Sequence, residues 1–352
     1  MNEGIDEYKR TNHFRWGLIL FLIVSTFIIF IISLYIGPTD VTIGKIFKNI
    51  FSADGSWEGY VIHDIRLKRS IAAILAGIGL GVSGAVMQCV LKNPLGSPYT
   101  LGISNSAAFG AALGIMVLGG GIVTGQSVSS YIIENPYIVT ISAFMFSLLA
   151  TGAIILSMRI FNASPETMLL TGMALSAIFS AGMTLMQYIA DPIQLSSIVT
   201  WTFGSVSHTN WKWDFVLLVV MLVAVLYFYP RRWDMNAMNA GDEVAKGLGV
   251  DTKRFLTVGM FMSAVITAFV VSKFGVISFV GLLGPHMART IVGDDHRFLL
   301  PMSMLTGALL LLVANIIALN VALPRILPVG LLTSLIGGPT FIYMLIRRYR
   351  AS

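Results

Sequence analysis

Two histidines, His286 and His296, are the side chains whose chemistry first suggests a metal site. They stand about ten residues apart, and no His, Cys, Asp or Glu follows either at the third or fourth position. Metal sites need several ligands that converge from one face. The single cysteine, Cys89, excludes a cysteine cluster and an intrachain disulfide. We predict no metal site, and a structural or partner-contact role for both histidines.

The chain also lacks a convincing site for nucleotide or covalent chemistry. The nearest stretch to a phosphate-binding loop is VTIGKIF at 41–47, which lacks the first glycine and the hydroxyl residue after lysine. The apolar stretches contain hydroxyl side chains but no neighbouring bases that could activate them. We therefore predict no catalytic residue and no cofactor in this chain, which is not expected to be an enzyme.

The composition places the chain in a membrane. Of its 352 residues, 56% are hydrophobic and only 11% are charged, against roughly 25% charged residues in soluble domains. The net charge of +6 is explained by basic residues at cytoplasmic helix ends, so nucleic acid is not expected as a partner. Apolar runs of about 20 residues predict about ten membrane-spanning helices. These are residues 16–36, 70–91, 99–119, 137–160, 167–190, 213–230, 255–273, 276–292, 299–320 and 329–346.

Charge between the spans predicts the orientation. Most lysines and arginines fall in alternate loops that share a side with the N-terminus, which places both termini in the cytoplasm. We predict a cytoplasmic segment at 1–15 and a single polytopic domain at 16–352, in the cytoplasmic (inner) membrane. Arg66 and Arg69 lie on the outer side, against the rule.

The predicted spans contain almost no titratable side chain. Asp191, Asp214 and Lys273 lie at span edges, and Asn315 cannot ionise. A proton-driven carrier usually needs an intramembrane carboxylate or histidine, and a channel needs rings of carbonyl or acidic groups. A bundle without such groups is expected to be passive or to be driven by a partner protein, and a passive channel or secondary carrier remains the alternative to the partner-driven transporter.

Glycines recur along the second span. Gly77, Gly81 and Gly84 are spaced by four and three residues, which places small residues along one helix surface. The spacing predicts close approach of neighbouring helices.

Four ordered blocks over about 280 residues resemble the permeases of the iron-siderophore, haem and cobalamin importers, the FecCD-like type II ABC importers. The first runs from Arg66 to Ala111, with the family's outer arginines, Gly-rich span and Asn-Pro-Leu. The others are GDEVAKGLGV at 241–250, GVISFVGLLGPHMARTIVGDDHRFLLP at 275–301, and LPVGLLTSLIGGPTFIYML at 327–345.

The resemblance implies an all-α permease fold with ten spans, which forms a homodimer. Two separate ATP-binding subunits, which hold ATP and Mg, would dock on the cytoplasmic side, and a substrate-binding protein would dock outside. The implied function is import of a metal chelate by alternating access, with ferric siderophore as the first candidate and cobalamin or haem next.

Site residues follow from the matched positions. The coupling contact with the ATPase is expected at Gly241, Asp242, Glu243, Ala245, Leu248 and Gly249, with Ala245 and Leu248 as its apolar knob. Docking of the binding protein is expected at Arg66, Arg69 and Arg325. The chain departs from the family pattern at the outer positions Lys68, Asn315, Leu319 and Ile326.

The gate and the pathway are also implied by the resemblance. The inner gate is expected at Asn93 and Leu95, after the second span, and at Pro165 and Glu166, before the fifth. The fifth span would line the pathway, and its candidates are Thr171, Met173, Ser176, Ser180, Met183 and Met186. Taken singly, each of these side chains could equally belong to a packing face.

Overall fold

A computed structural model describes residues 2–51, 55–118, 135–160, 164–323 and 325–351, and no β-strand occurs among them. The first eight α-helices are α1 Asn2–Tyr35, α2 Ile43–Asn49, α3 Trp57–Tyr60, α4 Lys68–Val90, α5 Ile103–Met116, α6 Pro136–Ile160, α7 Pro165–Ile189 and α8 Pro192–Thr202. The next seven are α9 Trp211–Phe228, α10 Arg232–Asn239, α11 Asp242–Gly247, α12 Thr252–Phe274, α13 Val280–Val292, α14 His296–Asn320 and α15 Val329–Ala351. A π-helix, Val61–Leu67, leads into α4, and a 3₁₀ turn, Val206–His208, precedes α9.

Each predicted span overlaps one helix, so the all-α, many-span prediction is confirmed. In the described residues, seven helical runs are long and apolar enough to cross a membrane, and α5 and Val329–Met344 are shorter apolar helices. The remaining predicted span corresponds to α13. Residue 119, the end of the third predicted span, lies outside the described residues.

Two predicted spans are shorter as helices than the sequence suggested. α5 has 14 residues and α13 has 13, which gives each about 20 Å of helix against a hydrocarbon core of about 30 Å. Each follows a non-helical stretch, at 91–102 and 275–279 respectively. Irregular backbone at membrane depth is tolerated where protein surrounds it, and the hydropathy profile cannot distinguish it from helix.

Helix α4 lies at the centre of the fold. It packs against α14, α12, α13 and α9, and 83% of an apolar 18-residue stretch of Trp57–Val90 is buried, against 17% of the corresponding stretch of α7. A Cβ atom added at Gly84 would lie 1.7 Å from the carbonyl oxygen of Gly281, and one at Gly81 would lie 2.1 Å from that of Ser303. A Cβ atom added at Gly77 would lie 2.4 Å from the carbonyl oxygen of Gly307 on α14. The predicted close approach is confirmed.

The polar N-terminal residues continue the first spanning helix. α1 runs from Asn2 without a break at 15/16, and Arg297 at the start of α14 donates to the Tyr8 hydroxyl at 3.0 Å. We call the side of the fold that carries residues 241–249 the inner side. The N-terminal part of α1 therefore lies on that side, beside the inner end of α14.

Candidate functional site

Residues 241–249, the coupling segment, form a short inner helix between two glycines. α11 is preceded by Gly241 at φ 118° and followed by Gly249 at φ 84°, conformations that residues with a Cβ rarely adopt. Asp242 and Glu243 occupy its first turn, where the helix dipole favours negative charge. α10 lies directly before it, so Gly241 separates two short helices.

The exposed apolar surface of the coupling segment differs from the predicted one. Leu248 is 70% exposed and Val244 is 48% exposed, whereas Ala245 is fully buried. The prediction that Ala245 forms part of an outward knob is therefore wrong, because this face of α11 packs into the protein core. Val244 and Leu248 are four residues apart and so lie on one helix face, a spacing that could have identified the pair.

The fold joins the coupling segment to the loop after α4, which carries the gate candidates Asn93 and Leu95. The Lys92 ammonium lies 2.7 Å from the Asp242 carboxylate, although the two residues are far apart in sequence. Lys92 adopts a positive φ of 47° directly after α4. The next residue, Asn93, accepts a hydrogen bond from the Leu95 backbone N–H at 2.9 Å. Sequence reasoning missed Lys92, because nothing local indicates its partner.

The second gate candidate lies at the N-terminus of α7. Pro165 occupies the first turn, and the Ser164 hydroxyl accepts from the Thr167 N–H at 3.3 Å. Glu166 is exposed in the same turn. Pro165 and Glu166 thus lie in the first turn of a helix that is capped by Ser164.

Helix α10 is anchored to the inner end of α14. Asn236 donates to Asp295 at 2.9 Å, and its carbonyl oxygen accepts from the His296 backbone N–H at 2.8 Å and from the ring Nδ1–H at 3.0 Å. Burial opposes ionisation of Asp295, but hydrogen bonds from Arg297 and Asn236 hold the pKa of this carboxyl at about 2. These contacts hold α10, and α11 after it, against the membrane domain.

The two candidate metal-binding histidines lie in packed surroundings. His296 is fully buried at its contact with Asn236, and His286 is 7% exposed and meets the Phe341 ring edge-on at 6.3 Å between centroids. Within the described ranges, no group of three or more His, Cys, Asp or Glu side chains could hold a metal ion. Both contacts fit the structural role considered for these residues.

Arg66 is a buried capping residue rather than a docking residue. Only 5% exposed, its guanidinium donates to the carbonyl oxygens of Leu34 at 2.8 Å and Tyr35 at 2.7 Å, and also to that of Thr39. The last carbonyls of a helix lack partners within it, and Arg66 satisfies those at the end of α1. Its predicted place on an exposed docking rim is wrong.

Arg69 is also buried, at 4% exposure, and its Nε donates to the Asn315 side-chain oxygen at 2.7 Å. The prediction that Arg69 is an exposed docking residue is wrong, because this bond joins α4 to α14 inside the bundle. Arg325 is exposed in the loop before α15 and stays a docking candidate. Among the other altered positions, Lys68 pairs with Asp64 at 2.6 Å, Leu319 is buried and Ile326 is exposed.

Helix α7 turns only part of its predicted lining outward. Met173 is 61% exposed, and Ser180 is also exposed. Met183 is buried in an apolar cluster that also includes residues of α5 and α6, and Met186 packs against this cluster. Prediction of Met183 as a lining residue is therefore wrong for this protomer, because it faces the packing side of the helix. Thr171 is half-buried.

The remaining pathway candidate is tied to a neighbouring helix. The half-buried Ser176 hydroxyl accepts from the Asn105 side-chain amide at 2.5 Å. Asn105 lies on α5, and sequence reasoning did not single it out. Asn105 lies within the family-like block Arg66–Ala111, which the sequence identified. Its contact with Ser176 depends on how α5 and α7 pack and could not be predicted from that block.

Known proteins share both sequence and fold with this chain. The model of the FecCD transport family matches residues 25–347. Over 331 residues the chain is 41% identical to MJ0087 of Methanocaldococcus jannaschii, assigned as an ABC transporter permease, with 94% of each chain covered. It is 33% identical to the Fe(3+)-citrate import system permease protein YfmE of Bacillus subtilis, over 93% of this chain and 94% of that one.

A solved structure described as an inward-facing conformation of a metal-chelate type ABC transporter is also similar. Its TM-score is 0.78 at 29% identity, and the match covers 94% of this chain and 99% of that chain. Sequence and fold thus agree over almost the whole length. The chain belongs to the FecCD transport family, as a multi-pass inner-membrane permease of the ABC importers.

Proposed function

We propose that this permease imports a metal chelate by alternating access, powered by a separate ATPase that docks on the coupling segment. The observation that carries the proposal is the exposed Val244–Leu248 face beside the Lys92–Asp242 ion pair. A ferric siderophore is the first candidate cargo, supported by the iron-citrate relative and the metal-chelate transporter. Haem and cobalamin are the next candidates.

The cargo and the energy source are tested by uptake in a strain that lacks this permease. We expect the strain to lose uptake of radiolabelled ferric siderophore and to recover it with the wild-type chain. Ferric citrate, haem and cobalamin are measured in parallel. Unchanged uptake of all of them would contradict the importer proposal. Uptake that persists after ATP depletion would instead favour the passive channel or secondary carrier.

Motion would pass from the ATPase to the gate through contacts of the coupling segment. An apolar tip on a short, anchored helix moves as a rigid body when a partner groove closes around it. Asp242 pulls on Lys92, which directly precedes the gate candidate Asn93. The ion pair is partly exposed, at 32% for Lys92 and 46% for Asp242, so it adds only about 0–1 kcal/mol to stability.

We predict that reversing one charge of this pair uncouples ATP hydrolysis from transport without unfolding the protein. Asp242→Lys and Lys92→Asp, made separately, should each lower uptake several-fold while the thermal unfolding temperature stays the same. Combining the two restores an ion pair of opposite orientation and should recover much of the uptake. The measurement is a double-mutant cycle on chelate uptake in proteoliposomes that contain the assembled complex. Additive losses in the double variant would contradict the proposed link.

The exposed face of α7 supports assembly as a homodimer. Ala174, Ala177, Ala181 and Thr184 are exposed at spacings of three, four and three, with Ser180 beside them. Small residues at such spacings allow close helix contact in membranes, where lipid gives no hydrophobic drive for association. We propose that this face of α7 packs against the same face of a second copy of the chain. Met173 and Ser180 would then border the chelate pathway between the two copies.

Cross-linking tests the dimer. We expect Ala177→Cys, in a Cys89→Ser background, to form a disulfide-linked dimer in native membranes on mild oxidation. Cys89 is buried and donates only to the Met235 carbonyl, so serine preserves its contact. Leu222→Cys, on the exposed face of α9, is the control and should not form a cross-link. Equal cross-linking of both variants would indicate random collision rather than a specific interface.

Docking of a substrate-binding protein on the outer side is proposed at Arg325. It is the exposed outer arginine of the three candidates, since Arg66 and Arg69 are buried. Exposed charges at a rim steer encounter and orient the partner more than they add affinity. The buried pair instead supports the outer ends of α1 and α4 beneath such a surface.

A further inference from the structure

A cavity of about 210 Å³ lies at the inner ends of α9 and α12, next to the coupling segment. Phe228 and Phe255 line it and are themselves buried, and Gly249 and Val250 form another part of its wall. α9 and α12 are both long and apolar enough to span the membrane, so their inner ends lie at headgroup depth. The volume is below that of drug-sized pockets, roughly 300–1,000 Å³, and suits a small polar group.

Four charged side chains line this cavity without pairing with one another. They are Arg231, Arg254, Asp234 and Asp251, and in the described part of the chain no ion pair within 4.0 Å joins any two of them. The Arg231 guanidinium donates to the Tyr227 carbonyl at 3.0 Å and lies 3.9 Å from the centre of its ring. The guanidinium is thus held in place with N–H groups to spare.

The two carboxylates of the cavity also have oxygens available to a ligand. Asp251 begins α12, and one of its carboxylate oxygens accepts from the Arg254 backbone N–H at 3.0 Å, which leaves the other for a ligand. Asp234 lies on α10 with its side chain half-buried. Two positive and two negative groups therefore surround one small cavity at the membrane surface.

We propose that this cavity binds a zwitterionic phospholipid headgroup, namely a phosphate ester that carries a free primary amine. Arginine guanidinium groups bind phosphate through paired, charge-assisted hydrogen bonds. A primary ammonium donates three hydrogen bonds to the carboxylates, whereas a choline headgroup donates none and a glycerol headgroup leaves the carboxylates without a counter-charge. The charge balance of the cavity therefore selects the amine-bearing headgroup.

The position of the site gives the lipid a consequence for transport. Gly249 and Val250 end the coupling segment, and the Val250 N–H donates to the Ala245 carbonyl at 2.9 Å. A headgroup in the cavity lies against this turn and restrains the coupling segment. This consequence rests on the proposed coupling function, whereas headgroup binding itself does not.

Native mass spectrometry of the delipidated full-length chain tests the binding. Phosphatidylethanolamine, phosphatidylcholine and phosphatidylglycerol are titrated in parallel, together with soluble phosphoethanolamine and inorganic phosphate. We expect phosphatidylethanolamine to bind most tightly, and Arg231→Gln or Arg254→Gln to weaken it by about tenfold or more, as for loss of a charge-assisted hydrogen bond. No ATPase is present, so failure of the coupling proposal cannot affect the result.

The chain offers matched controls. Arg232 donates to the Tyr229 carbonyl at 2.8 Å and lies 4.6 Å from the centre of that ring, as Arg231 does with Tyr227, but it does not line the cavity. Arg232→Gln should leave binding unchanged, and Lys253→Gln should do the same beside Arg254. If Arg232→Gln weakened phosphatidylethanolamine binding as much as Arg231→Gln, or Lys253→Gln as much as Arg254→Gln, the proposed site would be overturned.

Headgroup selectivity is tested at the acidic side. Asp251→Asn keeps a residue that caps helices well but removes the charge, so it should abolish the preference for phosphatidylethanolamine over phosphatidylcholine. Phosphatidylglycerol that binds the wild type as tightly as phosphatidylethanolamine would overturn the proposal. Displacement of the lipid by equal concentrations of phosphoethanolamine or inorganic phosphate would assign the cavity to a soluble ligand and would also overturn it.

Discussion

Gly84→Ala is expected to prevent accumulation of folded permease in the membrane. The added Cβ would lie 1.7 Å from the carbonyl oxygen of Gly281, far inside van der Waals contact and against backbone that no rotamer change can move. α4 would have to separate from α13, and overpacking of this kind destabilises by about 1–3 kcal/mol or more. Because α4 also packs against α14, α12 and α9, the displacement would spread through the core.

The control for this variant is another helical glycine in a spanning segment. Gly152 lies on α6, and an added Cβ would meet nothing within 4 Å. Gly152→Ala should accumulate as well as the wild type, with an equal or higher unfolding temperature, because alanine favours helix over glycine by up to about 1 kcal/mol. Membrane yield, size-exclusion profile and thermal unfolding compare the two. A Gly84→Ala protein indistinguishable from Gly152→Ala would contradict the close helix packing.

Leu248→Asp is expected to abolish stimulation of the partner ATPase and, with it, chelate uptake. Leu248 is 70% exposed at the end of α11, so the substitution leaves the fold of the permease intact. A carboxylate in an apolar partner groove would lose its hydration without gaining a counter-charge. Central apolar anchors of interfaces carry about 2 kcal/mol or more, so we expect the affinity for the ATPase to fall roughly thirtyfold or more.

The matched variant is Leu248→Met, which keeps an apolar side chain of similar volume and should preserve assembly and uptake. Co-purification with the ATPase measures assembly, and ATP hydrolysis in proteoliposomes with and without chelate-loaded binding protein measures coupling. Normal coupling in Leu248→Asp would place the ATPase contact elsewhere on the inner surface. Loss in both variants, with normal unfolding temperatures, would contradict an apolar tip as the basis of the contact.

Much of the architecture could be predicted from the sequence, because the bilayer imposes a simple rule on composition. A spanning helix must be apolar over its length, so the hydropathy profile located helices corresponding to every predicted span. Hydropathy does not show at which residue such a helix starts. The predicted spans begin at residues 99 and 276, yet residues 99–102 and 276–279 are not helical, because surrounding protein supports their backbone.

The close packing of α4 and the family of the chain could also be predicted, from the glycine spacing and from the four sequence blocks respectively. Gly77, Gly81 and Gly84 indicated close packing because only a missing side chain permits backbone contact, and the structure places them against α13 and α14. The blocks identified the family, which the match over residues 25–347 confirms. They also located the coupling segment as a short charged helix, although its role in coupling stays a prediction.

What the sequence could not determine is the direction of individual side chains, which depends on how each helix is rotated against its neighbours. The outer arginines show this most clearly. Arg66 and Arg69 are of a residue type suited to docking an acidic partner. Instead, Arg66 donates to carbonyls at the end of α1, and Arg69 donates to Asn315 on α14. Both contacts join residues that are distant in the chain, so no local pattern indicates them.

The same reason separates Ala245 from Leu248 and Met183 from Met173. In each pair the residue type is suitable for a surface, and the tertiary packing buries one member and exposes the other. The pairing of Lys92 with Asp242 also exists only after α4 and α11 have met on the inner side. Composition and local spacing thus determined that the chain crosses the membrane many times, and the resemblance of its four sequence blocks determined its family. Only the tertiary structure decided which polar and apolar side chains remain free to meet its partners, because burial depends on neighbours supplied by distant parts of the chain.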